Sequence, residues 1–397
     1  MQHLLEHAIA AYDAGESSVL CTVVRLDGSG YGQPGARLFL SESGERLGYI
    51  SGGCLEKDLC HRVWDATVAG PKLIAFDTRG NSVEVSRYNT GCEGVVYVLC
   101  QRVDDQQATL IRRMLDAATN EHQIRLLTVY RSGSKHAEVG DTLGYVKDRT
   151  SQPTIAIGEL ALNSEVSVAL FDKLRSADRN HSFVWHDSND DVIEAAIEII
   201  SPAWHLVIFG SGDDVIPVSK ACLAIDWRVT IVGHRPELTQ QHRFPGAEVI
   251  CGPMHKIAED FLMRGSHFSD RTDVIIMTHD FDRDVDLMDV LLNSPVRSIG
   301  LLGPKRRLGR LVTELYQRGR KLSDADIDRI RSPIGLDIGA IRPAEIAASI
   351  VAELIAISRD RNGGFLHLRR KPIHEISEHQ AVRIEQRLPC ELQVAVP

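Results

Sequence analysis

Two of the eight cysteines in this 397-residue chain stand in settings that suit thiolate chemistry. Cys54 follows Ser51-Gly52-Gly53 at the end of an apolar, β-like segment, and Leu55, Leu59, Val63 and Trp64 after it share one helical face. That spacing places Cys54 in the first turn of a helix, where unpaired amide N–H groups and the positive end of the dipole favour an anionic sulfur. Gly52 and Gly53 let a ligand approach the backbone closely. Cys92, within Asn89-Thr90-Gly91-Cys92-Glu93-Gly94, is a second thiol set between glycines beside a β-like run. Two soft sulfur ligands near glycine-lined backbone suit a soft metal centre or the carriage of sulfur. Cys54 and Cys92 are therefore the candidate catalytic and metal-binding pair, expected to face one pocket. The structural alternative makes each a small apolar residue that follows a turn.

A glycine-rich stretch, Asp27-Gly28-Ser29-Gly30-Tyr31-Gly32-Gln33-Pro34-Gly35, precedes Arg37. Its many backbone N–H groups suit an anionic ligand. No Gly-Lys-Ser/Thr follows, so it is not a P-loop. Arg37 is the nearby fixed cation, and the expectation is an anion site built from residues 28–35 and Arg37. The alternative is a hairpin connection with a surface arginine.

These residues need elements to position them. Apolar, β-branched runs predict strands over residues 18–26, 37–40, 73–76, 95–100, 124–130, 141–147 and 182–186. Helices are predicted over 106–118 and 165–176, and the region up to residue 200 reads as a connection. From Pro202 the pattern becomes a regular alternation. Strands at 205–209, 228–232, 274–278 and 297–302 interleave with helical stretches after Gly212 and around 284–292 and 308–317. A strong helix covers 343–357, with Pro at its start. The fold class is α/β: an N-terminal α/β domain with a mixed sheet, then a Rossmann-type doubly wound domain. The expected divisions are residues 1–103, a middle extension at 104–200, the Rossmann-type domain at 201–360 and a tail at 361–397.

The Rossmann turn opens as Gly210-Ser211-Gly212, but Val215 takes the third small position and Asp213 and Asp214 stand where a pyrophosphate needs positive potential. The acid that holds a ribose is absent from the second strand, which ends Gly233-His234-Arg235, and Asp226 comes too early to replace it. NAD(P) binding is therefore expected to be weak or absent. Polar groups still gather at the strand ends: His279 and Asp280 after one, Lys305, Arg306 and Arg307 after another.

Composition excludes several classes. The chain is 43% hydrophobic and 25% charged, as globular proteins are, and its net charge of −9 argues against binding to a nucleic-acid backbone. Residues 1–15 read as an amphipathic helix with Leu4, Leu5, Ala8, Ile9 and Tyr12 on one face, not as a signal peptide. No apolar run approaches the roughly 20 residues of a membrane span. The cysteines form no CxxC pair, which fits thiols in a reducing cytoplasm, and Cys21, Cys100 and Cys222 read as core.

The motifs together resemble the xanthine dehydrogenase accessory family of the XdhC/CoxI type. They are Gly28-Ser29 through Pro34-Gly35-Ala36-Arg37, Ser51-Gly52-Gly53-Cys54-Leu55-Glu56, Gly91-Cys92-Glu93-Gly94, Phe209-Gly210-Ser211-Gly212, Met277-Thr278-His279-Asp280, Gly300-Leu301-Leu302-Gly303 and Pro333-Ile334-Gly335-Leu336-Asp337-Ile338-Gly339-Ala340. They run in family order over residues 5–358. The resemblance implies a chaperone that binds molybdenum cofactor (molybdopterin), protects it, assists exchange of an oxo ligand for sulfur and hands it to an apo molybdenum hydroxylase of the xanthine dehydrogenase type. It also implies a homodimer, a cysteine desulfurase as a further partner, and cofactor contacts at Gly28, Ser29, Arg37, Gly52, Gly53, Glu56, Gly210, Gly212, His279, Asp280 and Asp337. The chain differs from the family pattern at Asp213, where His is usual, at Gly233-His234, where an acidic pair is usual, and at Phe281, where a second His is usual. The competing readings are an NAD(P)-dependent oxidoreductase and a scaffolding component of a hydroxylase complex.

Overall fold

The structure, a computed structural model, describes residues 1–28, 32–78, 94–119, 122–147, 153–154 and 165–369. The chain forms a first unit, Met1–Pro202, and a second that begins at Ala203.

The first unit runs α1 (Gln2–Asp13), β1 (Ser18–Gly28), β2 (Arg37–Ser41), β3 (Arg46–Gly48), α2 (Cys54–Ala66), β4 (Lys72–Asp77), β5 (Gly94–Arg102), α3 (Asp105–Thr119), β6 (Gln123–Ser132), β7 (Thr142–Lys147), β8 (Pro153–Thr154), α4 (Glu165–Ser176), β9 (His181–His186) and β10 (Val192–Ile200). They make two five-stranded sheets, ordered β3-β2-β1-β5-β4 and β8-β7-β6-β10-β9. Every described pairing in them is antiparallel, where a mixed sheet was expected. Side chains alternate along β1 as a strand's period of two requires. Val19, Cys21 and Val23 pack under Leu55, Leu59 and Val63 of α2, while Leu20 turns to the other face against α1 and α3. Cys21 and Cys100 are fully buried opposite one another. A smaller cluster of Val24, Leu99, Tyr130 and Ala196 joins the two sheets.

β10 stands where the sequence pattern suggests only a connection. Its odd positions Ile193, Ala195 and Ile197 face one core, and Ala196 and Ile200 face others. Glu194 and Glu198 lie on the second face, and both carboxylates meet arginines of β1 and β2.

The second unit contains β11 (His205–Phe209), α5 (Val215–Leu223), β12 (Arg228–Gly233), β13 (Glu248–Cys251), α6 (Met254–Arg264), β14 (Thr272–Ile276), α7 (Phe281–Leu291), β15 (Ser298–Leu301), α8 (Lys305–Gln317), α9 (Asp324–Arg329), β16 (Ile330–Arg331) and α10 (Pro343–Ser358). Its sheet is wholly parallel, ordered β13-β12-β11-β14-β15-β16, so the order reverses between β11 and β14. Val207 and Phe209 pack with α6, α7 and α8 on one face, Leu206 and Ile208 with α5 and α10 on the other. This is the Rossmann-type doubly wound arrangement.

Candidate functional site

The turn before α2 is held by one carboxylate. Buried Glu56 accepts backbone N–H bonds from Ile50 (2.8 Å), Ser51 (2.6 Å) and Gly53 (3.0 Å), and also the Ser51 hydroxyl. Burial pushes its pKa up, but these hydrogen bonds outweigh burial and leave it below the usual range. Glu56 is thus the reciprocal half of a capping box. Its acceptor sites are taken by the turn, so it braces the site instead of contacting a cofactor. Gly53 caps the helix at φ +110°, a conformation that costs other residues strain. A Cβ at Gly52 or Gly53 would touch nothing within 4 Å. Cys54 is the first residue of α2 and is exposed. The expected thiol at an open, glycine-lined helix start matches this geometry.

The glycine-rich stretch reaches this turn. A Cβ on Gly32 would lie 2.1 Å from the carbonyl oxygen of Ile50, so the two backbones are in direct contact. Gly28 ends β1 and pairs in register with Gly94 of β5. Ser29 and Cys92 lie outside the described residues, as does the pairing of Cys92 with Cys54. Among the described residues no three His, Cys, Asp or Glu side chains gather as a metal site.

Arg37 corrects the expected anion site. Its guanidinium forms a two-pronged pair with Glu198 of β10, Nη1 to Oε1 at 2.7 Å and Nη2 to Oε2 at 2.5 Å, and Nη1 also donates to the Gly35 carbonyl at 3.1 Å. The arginine side chain is 7% exposed and the glutamate 16%. The void that both line measures about 40 Å³, room for water and not for a phosphate. The charge of Arg37 is therefore matched inside the protein, where it fastens β2 to β10. Arg25 behaves alike, gripping Asp27 and Glu194 beside the Tyr97 ring.

In the second unit a cleft of about 440 Å³ opens at the carboxyl ends of β11, β12 and β14. Gly210, Ser211, Gly212, His234, Arg235, His279 and Asp280 are among the residues that line it. Asp337 is exposed and is not among the lining residues. Asp280 caps α7 by accepting the Arg283 N–H, and its carboxylate pairs with the Arg283 side chain at 2.9 Å. Its role is structural in that respect. Of the two acids at the turn, Asp213 pairs with Arg243 at 2.6 Å, while Asp214 occupies the α5 cap position without a side-chain capping bond. Arg307 is taken by the fully buried Asp284, which burial raises above its ordinary pKa. Burial, then Arg283 and Arg235, hold His234 below its ordinary pKa. Sequence reasoning alone passes over Glu198, Asp284 and the cleft role of Arg235. The recurrence of Glu at 194 and 198 in a β-branched run is the available signal for the first.

Two family models match the chain: the XdhC and CoxI family over residues 11–77, and the XdhC Rossmann domain over 206–354. A Bacillus subtilis (strain 168) protein, named as a probable component of xanthine dehydrogenase, is 25% identical over 346 residues, 86% of this chain and 93% of that protein. YqeB of Escherichia coli (strain K12) is 27% identical over 179 residues, 45% of this chain and 31% of that protein. The crystal structure of a xanthine dehydrogenase from Bacillus halodurans superposes with a TM-score of 0.69 at 28% identity, covering 90% of this chain and 96% of that one. No helix among the described residues is long and apolar enough to cross a membrane. The first match holds the Cys54 turn and the second holds the cleft-bearing sheet, and on both counts the chain belongs to the XdhC and CoxI family.

Proposed function

We propose that this protein is a maturation factor for a molybdenum hydroxylase of the xanthine dehydrogenase type, and that it holds the molybdenum cofactor at Cys54 until transfer. Family membership and the names its relatives carry support the client class. The observation that carries the site is an exposed thiol at a helix start, on a turn braced by Glu56 and bare of side chains at Gly52 and Gly53. When bound, the cofactor would supply a redox-active metal with exchangeable ligands; the chain would supply a soft sulfur donor on a turn bare of side chains at Gly52 and Gly53. The thiol end of the site suits such a group. The phosphate end receives no side chain in this reading, because Arg37 is engaged by Glu198. Cys92 remains the proposed second sulfur, with a cysteine desulfurase as the source of sulfur and a homodimer as the working form.

The experiment is reconstitution of an apo molybdenum hydroxylase with isolated molybdenum cofactor, with and without the chain. The wild-type chain should raise the activity recovered, and Cys54→Ser should not. Equal recovery with the serine variant would remove Cys54 from the function.

A further inference from the structure

The cleft of the second unit has properties that the maturation reading does not use. It lies where the strand order reverses, the position at which doubly wound sheets take nucleotides. In such sheets the end of the second strand decides which ribose is accepted: an acid there holds a free 2′-hydroxyl, and a nearby arginine accommodates a 2′-phosphate. Here that strand is β12, and it ends at Gly233. A Cβ on Gly233 would lie 2.1 Å from the Thr239 methyl and 2.5 Å from the Ser211 hydroxyl. The space of an acidic side chain is thus already filled, and no carboxylate can be placed there without moving both neighbours.

Arg235, two residues on, lines the cleft and is exposed. Three neighbouring arginines are matched, Arg243 by Asp213, Arg283 by Asp280 and Arg307 by Asp284, while Arg310 lies over the ring of the lining Phe281. Among the described residues Arg235 makes no ion pair, and it is the one arginine or lysine in the lining of the cleft. The pairing of Asp213 with Arg243 also cancels one of the two carboxylates that oppose a phosphate at the glycine turn. Asp214 stays at the start of α5, its Oδ1 2.5 Å from where a Cβ of Gly212 would stand. That carboxylate weakens attraction for a pyrophosphate, so selectivity rests on the Arg235 end.

We infer that this cleft binds a nucleotide bearing a 2′-phosphate on its ribose, of the NADP(H) class, and discriminates against the unphosphorylated NAD(H) class through Arg235. A guanidinium matched to a phosphate forms two parallel charge-assisted hydrogen bonds, whereas a bare ribose offers it no anion. The inference is independent of Cys54 and of any molybdenum cofactor.

Calorimetric titration of the full chain with NADPH, NADH and 2′,5′-ADP tests it. NADPH and 2′,5′-ADP should bind, compete with each other, and exceed NADH in affinity by about tenfold or more. Arg235→Ala should remove that advantage and leave the weak NADH binding as it was. Because Arg235 is exposed, the fold should survive, and Arg235→Lys should restore part of the preference. NADH binding as tightly as NADPH, no binding of either phosphorylated ligand, or an undiminished preference in Arg235→Ala would each overturn the inference.

Discussion

Replacing Arg37 with methionine separates its two conceivable roles. In the structure its guanidinium makes both prongs of a pair with Glu198, and neither side chain is more than 16% exposed. Removing one member of a buried pair leaves the other charge without compensation, which costs about 3–5 kcal/mol. For a unit of this size each kcal/mol lowers the midpoint by about 2–4 °C, so the first unit should melt roughly 6–20 °C lower. Replacing both, Arg37→Met with Glu198→Met, removes the stranded charge and should recover most of the loss, because apolar substitutes for buried pairs are often near neutral. Thermal and urea unfolding of the wild type, both single variants and the double variant give the coupling between them. The reasoning is refuted if Arg37→Met unfolds within about 1 kcal/mol of wild type, the range for an exposed pair. That outcome, joined to weaker binding of a phosphorylated ligand, would return Arg37 to the role of an anion receptor.

Native alkylation should label Cys54 and Cys251, which are exposed, well before Cys21, Cys100 and Cys222. For Cys222, burial pushes the thiol up to about 12, so it should react only on unfolding. Gly233→Asp should cost the second unit about 1–3 kcal/mol through collision with Thr239 and Ser211, and should not create NADH binding; a stable variant that binds NADH would contradict the packing argument. Stability of the second unit should fall as pH drops below the unfolded histidine value of about 6.5, by up to ~1.4 kcal/mol per pH unit. Burial, then Arg228 and His267, depress His205 to about 3 against the opposing pull of Glu248, so the unfolded chain takes up a proton that the native state refuses. His205→Asn should flatten that slope in urea titrations, and an unchanged slope would assign it to other groups.

The second unit is legible in sequence because its strands are buried on both faces. Runs such as His205–Phe209 read as continuous apolar segments, and the glycine turn marks the ligand edge. The Cys54 turn is legible for a local reason: its capping box spans only Ser51 to Glu56. Arg37 misleads because its partner is 161 residues away, on a strand whose Glu-Ala-Ala-Ile-Glu core also fits helical spacing. A charge looks free in sequence until the strand that neutralises it is recognised. Glu56 misleads in the opposite sense, as a ligand contact, because a carboxylate that reaches back to cap its own turn has the same identity and position as one that reaches out. Arg235 is in plain view but gains its meaning only from Gly233, whose missing side chain is explained by Ser211 and Thr239 packing over it.

Cys54 is proposed to hold the molybdenum cofactor on a turn with no side chains in the way. Retention of isolated cofactor by the full chain, measured anaerobically as pterin and molybdenum remaining after ultrafiltration, tests it most directly. Gly52→Ala is the informative variant, since its methyl group meets nothing within 4 Å in the protein itself and leaves the fold unstrained by contact. The wild type should retain the cofactor, Cys54→Ser should lose about tenfold or more in affinity, and Gly52→Ala should show a clear loss at unchanged stability. Retention by both variants equal to that of the wild type would contradict that proposal.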